Sequence, residues 1–207
     1  MDNFSRRVRS KAVAVHEAGH LFVNLALQPA PFIDAVWIRR NDQGHWEGCV
    51  DYVHRFQWAI SAVPMNGTPD AVERWEAAKR ENARRELLVS LAGPIAEIRW
   101  RTRGRWSANL SAKSNATACL DMGAAASSDF GYAKRFIEWL GYPDPQQAFV
   151  DAWLEAEEIV HQHWQAIVAV GSLLKERERL DAETLYDLPE VISAREQAWA
   201  TETATAT

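Results

Sequence analysis

The segment VHEAGHLF (residues 15–22) carries side chains that together could bind a metal ion and move a proton. His16 and His20 are four residues apart, and Glu17 directly follows the first histidine. On an α-helix, residues i and i+4 lie one above the other on the same face, so both imidazoles can bind one ion. In this arrangement two histidines bind Zn²⁺, while the glutamate takes a proton from a metal-bound water. The segment therefore predicts a helix with two zinc ligands and a general base.

The residues around the two histidines bear on whether this helix is buried. A solvated helix with two surface histidines is the simpler alternative. Val15 and Phe22 are apolar and Ala18 is small, which favours a buried helix. Gly19 also favours a buried helix, because a glycine inside a helix costs about 1 kcal/mol relative to alanine and needs a compensating reason. We therefore expect another part of the chain to approach Gly19 closely.

A catalytic zinc site usually has three protein ligands and a water molecule, so a third ligand is needed. No histidine occurs in residues 21–30. Two later acids are candidates: Glu97 in SLAGPIAEIRW, near the end of a helix, and Asp129 in GAAASSDFGYAKRF, at the second position of another. The helix dipole favours an acid in a first turn whatever its function, and disfavours one near a C-terminus. The residues alone leave both acids open as ligands.

The composition limits the class of protein. A chain of 207 residues suits a single domain, which we expect to span residues 1–197, with a disordered tail at residues 198–207. The formal net charge of −5 and the isoelectric point near 5.7 provide no basis for binding nucleic acid. Two cysteines are too few for a disulfide framework. The N-terminal segment lacks the apolar core of a signal peptide, and no apolar run approaches the ~20 residues of a membrane span. We therefore expect a cytoplasmic protein without a membrane span.

Apolar periodicity and turn residues predict a mainly α-helical fold with a small β hairpin. Asn41, Asp42 and Gly44 are turn-forming residues between two β-prone runs, at residues 33–40 and 45–53. Helices are predicted at residues 10–27 with Ser10 as N-cap, 71–100 with an interruption at Gly93–Pro94, 127–141 with Ser127 as N-cap, 146–179, and 180–188. Residues 64–70 and 101–126 are predicted to be irregular.

Three segments occur in an order that resembles a known family: AVHEAGHLFVNLAL, ARRELLVSLAGPIAEIRW and GAAASSDFGYAKRFIEWLG. They are similar to three segments of the peptidase domain of the FtsH family of zinc metalloproteases. The resemblance covers most of residues 10–188 in patches and implies an FtsH-like zinc metallopeptidase fold. The zinc ligands that it implies are His16, His20 and Asp129. It also implies that Glu17 is the catalytic base and that Glu97 is a structural residue near the site.

The chain also departs from that family. It contains no Gly-x-x-x-x-Gly-Lys-Ser/Thr phosphate loop and has only nine residues before the predicted metal helix. Pro94 stands where the family usually has arginine, and residues 54–80 resemble an insertion. Together these features imply a stand-alone, ATP-independent zinc metallopeptidase for peptides or unfolded protein segments. The hairpin is a candidate edge for substrate pairing. A separate ATPase or unfoldase, and a second copy of the chain, are candidate partners.

Two other interpretations remain open. The chain could be a catalytically silent peptidase fold that serves as an interaction or regulatory module. Its complete set of ligand and base residues argues against this. It could also belong to another zinc-peptidase lineage, in which Glu97 is the third ligand. The Ser-Ser-Asp segment that ends at Asp129 favours the FtsH-like ligand set.

Overall fold

Helices form most of the described chain. The computed structural model describes residues 3–28, 33–52, 68–105, 107–120 and 128–205. The helices are α1 (Asn3–Leu27), α2 (Pro69–Thr102), α3 (Ala108–Leu120), α4 (Asp129–Leu140), α5 (Pro145–Gln162), α6 (Trp164–Arg177), α7 (Ala182–Tyr186) and α8 (Pro189–Thr205). The strands β1 (Ile33–Arg40), β2 (Trp46–Tyr52) and β3 (Arg179–Asp181) form one antiparallel sheet. The expected class, mainly α with a small β element, is confirmed.

Helix α1 runs through the hydrophobic core. Its Ala18, Leu21 and Phe22 side chains are fully buried, and it packs against α2, α6, α8 and the sheet. The expectation of a buried helix is therefore confirmed. The helix begins at Asn3, so the predicted N-cap at Ser10 is wrong. Ser10 is buried within the helix, and the arginines that precede it lose little side-chain freedom in a helix.

The sheet has the order β2-β1-β3. β1 and β2 pair along their whole lengths. In the turn between them, Gly44 has a φ of 77°, and the side-chain oxygen of Asn41 accepts hydrogen bonds from two backbone N–H groups, at 3.1 and 2.9 Å. The predicted hairpin is confirmed, with its second strand at residues 46–52.

Strand β3 was not predicted. It pairs with residues 35–37 of β1, whereas all three of its residues were predicted to be helical. Helix α6 ends at Glu178, whose left-handed conformation (φ 61°) turns the chain towards the sheet. The Glu178 carbonyl then accepts a hydrogen bond from the backbone N–H of Ile38 at 2.8 Å. Three residues are too few to show a strand periodicity, so only the pairing with β1 reveals the strand.

Helix α2 continues through Pro94, so the predicted interruption at Gly93–Pro94 is wrong. A proline inside a helix removes one backbone hydrogen bond. On both sides of it, Gly93, Ile95 and Ala96 are buried. Their packing in the core offsets the lost hydrogen bond.

Two other predictions are corrected. The segment expected to be irregular contains α3, whose Ala112, Ala116 and Cys119 are buried; such small side chains give a weak amphipathic pattern. The long helix expected at residues 146–179 divides at His163, whose ring stacks on Phe22 with a centroid distance of 6.0 Å.

Helix α8 continues to Thr205, through most of the segment expected to be a disordered tail, and that expectation stays a prediction. Ala198 is buried. The hydroxyls of Thr201 and Thr203 donate to backbone carbonyls one turn earlier, at 3.0 and 3.1 Å. Alanine is the best helix former, so a segment rich in alanine can be helical despite its low complexity.

One continuous core draws side chains from every described helix and strand. Within the described ranges, no helix combines the length and apolar character of a membrane-spanning segment. The predictions for residues 53–67, 121–127 and 206–207, including the cap at Ser127, fall outside the described residues.

Candidate metal centre

Helix α1 presents His16 and His20 side by side. Their ring centroids are 4.8 Å apart, and the rings meet edge to face. The two Nε2 atoms are 3.1 Å apart, so the nitrogens of the two rings converge. Only 8% of His20 is exposed. The spacing of four residues thus brings two potential metal ligands to one point in a largely buried position.

Two glycines allow α1 and α2 to approach each other at this point. A Cβ atom on Gly93 of α2 would lie 2.6 Å from His16 Nε2 and closer still to His20 Nε2. A Cβ atom on Gly19 of α1 would lie 2.8 Å from the carbonyl oxygen of Ala92. The expected close approach to Gly19 is confirmed. Gly93 leaves the space that the two imidazole rings occupy.

Asp129 brings a carboxylate to the same point. It is the first residue of α4, one position earlier in the helix than expected, and Ser128 caps the helix by accepting a hydrogen bond from the Gly131 N–H at 3.1 Å. Asp129 Oδ2 lies 2.9 Å from His16 Nε2, and Oδ1 lies 3.4 Å from His20 Nε2. The helix start therefore fixes the position of this side chain.

The three side chains could hold a metal ion, and their types and spacing can be compared with those of a zinc site. With bonds of 2.0–2.2 Å in a tetrahedral site, neighbouring ligand atoms are about 3.3 Å apart. The two Nε2 atoms are 3.1 Å apart, and each lies close to a different oxygen of Asp129, His16 to Oδ2 at 2.9 Å and His20 to Oδ1 at 3.4 Å. Two imidazole nitrogens and one carboxylate oxygen are also ligand types that zinc accepts, and three ligands leave a fourth position for water. These three residues are a group that could hold a metal ion.

The other nitrogen of each imidazole is held by an acceptor. His20 Nδ1 donates to the Val89 carbonyl at 2.6 Å, and His16 Nδ1 donates to Glu97 Oε2 at 3.0 Å. A carbonyl or carboxylate at Nδ1 fixes the ring orientation and leaves the lone pair on Nε2, as in most metal-binding histidines. Glu97 in turn pairs with Arg101. Glu97 therefore lies behind His16, on the far side of the ring from Asp129.

The charges of the cluster also suit a cation. Burial lowers the pKa of His16, but hydrogen bonds to Asp129 and Glu97 outweigh it and raise that pKa to about 10. Burial raises the pKa of Asp129, but the two neighbouring histidines outweigh it and hold that pKa well below its usual range. His16 therefore carries a proton at neutral pH, between two ionised carboxylates. A metal ion would replace this proton, because metals bind the deprotonated imidazole.

Glu17 lies between the histidines and the sheet. Only 6% of the residue is exposed, and a Cβ atom on Gly48 of β2 would lie 2.7 Å from Glu17 Oε1. Burial raises the pKa of the Glu17 carboxyl, although His16 and His20 oppose the shift. A raised pKa brings a carboxylate closer to the value that suits a general base at neutral pH.

The structure thus brings together His16, His20 and Asp129, with Glu17 beside them and Glu97 behind. That these residues bind Zn²⁺ remains a prediction. Sequence reasoning missed Val89, which acts through its backbone carbonyl and leaves no signal in the sequence. It also missed Gly48 and Gly93. A glycine inside a strand often marks a close approach by another group, and Gly93 was interpreted as part of a helix break.

We expect substitutions at the two glycines to separate metal binding from turnover. Gly93→Ala should lower zinc affinity about tenfold or more, because its methyl group would displace both imidazoles, and displaced ligands bind weakly. Gly48→Ala should leave zinc affinity within about twofold and lower turnover, because the three atoms nearest to its methyl group all belong to Glu17. Zinc titration against a competing chelator and a peptide-cleavage assay would measure the two effects.

An exposed alanine on α2 provides the matched control. Ala78→Gly changes one methyl group on the same helix, away from the site, and should leave both zinc affinity and turnover unchanged. Equal loss of zinc affinity in Gly48→Ala and Gly93→Ala would contradict the separate roles of the two glycines.

The sequence matches no protein-family model and no curated protein. The resemblance to the FtsH peptidase domain therefore still rests on the three quoted segments. What the site can do must be argued from the geometry of its residues.

Proposed function

We propose that the protein is an ATP-independent zinc metallopeptidase that hydrolyses peptide bonds in peptides and unfolded protein segments. The main support is the convergence of two imidazoles and a carboxylate, with ligand-atom separations of 2.9–3.4 Å, beside a buried glutamate. His16, His20 and Asp129 would hold the ion. Bound there, Zn²⁺ would lower the pKa of a coordinated water toward ~7 and polarise the scissile carbonyl.

Glu17 is proposed as the general base. It takes a proton from the attacking water and delivers that proton to the leaving amine. Its raised pKa, caused mainly by burial, makes the carboxylate a stronger proton acceptor than a solvated glutamate. Contact with Gly48 holds the carboxylate at a fixed position between α1 and β2. The acceptor is therefore oriented before the substrate binds.

Strand β2 is proposed as the edge to which the substrate pairs. It lies at one end of the sheet order, and its partner within the described residues is β1. An extended peptide can add to such an edge through main-chain hydrogen bonds. Because Gly48 lies against Glu17, a peptide on this edge would pass close to the base. Extended segments fit this geometry, which favours peptides and unfolded chains as substrates.

The free energy of unfolding also limits the class of substrate. Unfolding a stable domain requires about 5–15 kcal/mol, and the sequence contains no phosphate loop through which ATP hydrolysis could supply it. We therefore propose that cleavage of unfolded segments needs no ATP. Folded substrates would require a separate unfoldase as partner.

Metal removal tests the proposal. The purified protein should carry about one zinc per chain, and dialysis against a chelator should remove both the zinc and the cleavage of a fluorescence-quenched peptide. Added Zn²⁺ should restore cleavage and raise the melting temperature, because a ligand that binds the folded state stabilises it. Elemental analysis, thermal unfolding and the peptide assay provide the readouts. Cleavage that survives complete removal of metal, or a melting temperature insensitive to zinc, would contradict the proposal.

A further inference from the structure

The hydrogen bonds of β1 show which main-chain groups of β2 face the open edge of the sheet. Across the turn of the hairpin, the Asn41 N–H donates to the His45 carbonyl at 2.9 Å. On the opposite side of β1, the Ile38 N–H donates to the Glu178 carbonyl at 2.8 Å, next to β3. Successive residues of an antiparallel strand form their hydrogen bonds on alternate sides. The odd-numbered residues of β1 therefore bond to β2, and the even-numbered residues face β3.

The register extends this alternation to β2. Gly48 is opposite Ile38, and Val50 is opposite Val36. Because Ile38 and Val36 direct their main-chain groups towards β3, their pairs with β2 are not hydrogen-bonded. The N–H and C=O groups of Gly48 and Val50 therefore point away from β1. Strand β2 is the last in the sheet order, and no strand of the described residues lies beyond it.

Gly48 also lies next to the proposed general base. A Cβ atom on Gly48 would lie 2.7 Å from Glu17 Oε1, so the Glu17 carboxylate occupies the space of a side chain at this position. Side chains project out of the plane of a sheet, whereas the N–H and C=O groups lie within it. Neighbouring strands are about 4.8 Å apart. A strand that binds to the outward groups of Gly48 therefore passes close to Glu17.

The opposite face of β2 carries two acids. Successive side chains point to opposite faces of a strand, so Glu47 and Asp51 lie on the face away from Glu17. Their side chains are 36% and 42% exposed. Arg39 of β1 pairs with Glu47 at 2.7 Å. Arg179 of β3 lies 4.0 Å from Asp51. Both arginines belong to inner strands, so a cation on the open side of β2 would continue the alternation of charge across the sheet.

We propose that the substrate forms an antiparallel strand on β2 in which Glu47 and Asp51 select basic residues, an inference that rests on the peptidase function proposed above. The outward groups of Gly48 and Val50 bind its main chain. The substrate residues opposite the two acids then form pairs without mutual hydrogen bonds, in which facing side chains are closest. These residues are four apart, and the one opposite Asp51 comes first because the strands run in opposite directions. The preferred pattern is therefore Lys-x-x-x-Lys, with arginine equivalent to lysine.

Peptides with two lysines test the spacing. In each acetylated and amidated peptide the other residues are uncharged, and the lysines are three, four or five residues apart. The reference peptide has norleucine in place of both. Fluorescence anisotropy gives dissociation constants on Glu17→Gln protein, with zinc and after removal of metal. We expect a spacing of four to bind about tenfold more tightly than the reference, since two opposite-charge pairs across strands contribute together. Spacings of three and five place the lysines on opposite faces and should bind more weakly.

Charge reversal tests the two acids and the strand direction. The variant with Glu47→Lys should prefer Lys-x-x-x-Glu over Glu-x-x-x-Lys, and the variant with Asp51→Lys should show the reverse preference. Asp42→Lys makes the same change at an exposed position in the turn of the hairpin, and should keep the preference for two lysines. Equal binding at all three spacings, a reversed order in the charge swaps, or an Asp42→Lys variant that behaves like Glu47→Lys overturns the proposal. Either acid alone decides the question if the other variant does not fold.

The binding measurements separate this inference from the peptidase function, because pairing with β2 requires neither metal nor turnover. If the wild type cleaves nothing but the spacing of four is preferred and follows the charge swaps, the strand site stands and the peptidase function fails. If wild-type protein cleaves all the peptides with equal kcat/KM and binds them equally, the peptidase function stands and the strand site fails. An absence of measurable binding, with zinc and without metal, also overturns the strand site.

Discussion

The Glu17→Gln variant is expected to bind one Zn²⁺ per chain, as the wild type does, and to cleave unfolded protein at least about 100-fold more slowly. A positioned general base contributes about 10²–10⁴-fold to the rate, and an amide cannot take up the proton. Glutamine has nearly the same shape, so the contact with Gly48 and both imidazoles should persist. The melting temperature should not fall, because the variant no longer buries an ionisable carboxyl. Cleavage of casein and of a peptide library, with and without ATP, measures the effect.

Two controls accompany this measurement. Glu81→Gln makes the same chemical change at an exposed position of α2 and should retain wild-type turnover. The rate of cleavage with ATP should equal the rate without nucleotide. Equal cleavage by wild type and Glu17→Gln would mean that another site or a contaminating protease is responsible. If neither form cleaves any substrate while both hold zinc, the protein is better explained as a peptidase fold that serves as an interaction module.

The Asp129→Ala variant is expected to lose zinc affinity by more than about 100-fold, and Glu97→Ala by about 10–100-fold. Losing a group that orients a ligand typically costs 10–100-fold in affinity or activity, and losing a ligand should cost more. The difference follows from geometry, since Asp129 Oδ2 lies 2.9 Å from His16 Nε2, whereas Glu97 Oε2 lies 3.0 Å from Nδ1 of the same ring. Competition titrations with a zinc chelator give both affinities.

A crystal structure of the zinc-loaded protein provides the independent test of ligand identity. Anomalous scattering at the zinc edge should place the ion against His16, His20 and Asp129. An ion bonded to Glu97 and distant from Asp129 would support the alternative zinc-peptidase lineage and contradict the ligand set proposed here. Arg101→Gln serves as a control, because it removes a partner of Glu97 without changing any proposed ligand.

Several features of the molecule follow from the sequence alone. The pairing of His16 with His20 depends only on helical spacing, which any α-helix imposes. The hairpin depends on Asn41 and Gly44, whose conformational preferences favour a tight turn between two β-prone runs. The close approach at Gly19 follows from the cost of a glycine inside a helix. Each of these conclusions rests on residues that are neighbours along the chain, and short-range physics is sufficient to reach them.

The tertiary structure alone distinguishes the roles of the two acids. Glu97 and Asp129 lie 81 and 113 residues from His16 along the chain, and both are acids near helix ends. The sequence around each acid does not indicate which nitrogen of the His16 ring its carboxylate contacts. The resemblance to the FtsH family favoured Asp129 as a ligand. The packing of α2 and α4 against α1 places the two carboxylates on opposite sides of the imidazole.

Long-range packing also explains the predictions that were wrong. Pro94 was judged by its local effect on a helix, but burial around it sustains α2. The helix predicted at residues 146–179 divides at His163, whose ring stacks on Phe22. Strand β3 forms because it can pair with the edge of β1. The sequence by itself thus determined the helix that carries both histidines, the hairpin and the helical class, because these depend on neighbouring residues. Only the tertiary structure decided which distant side chains meet, because those contacts depend on the packing of whole helices.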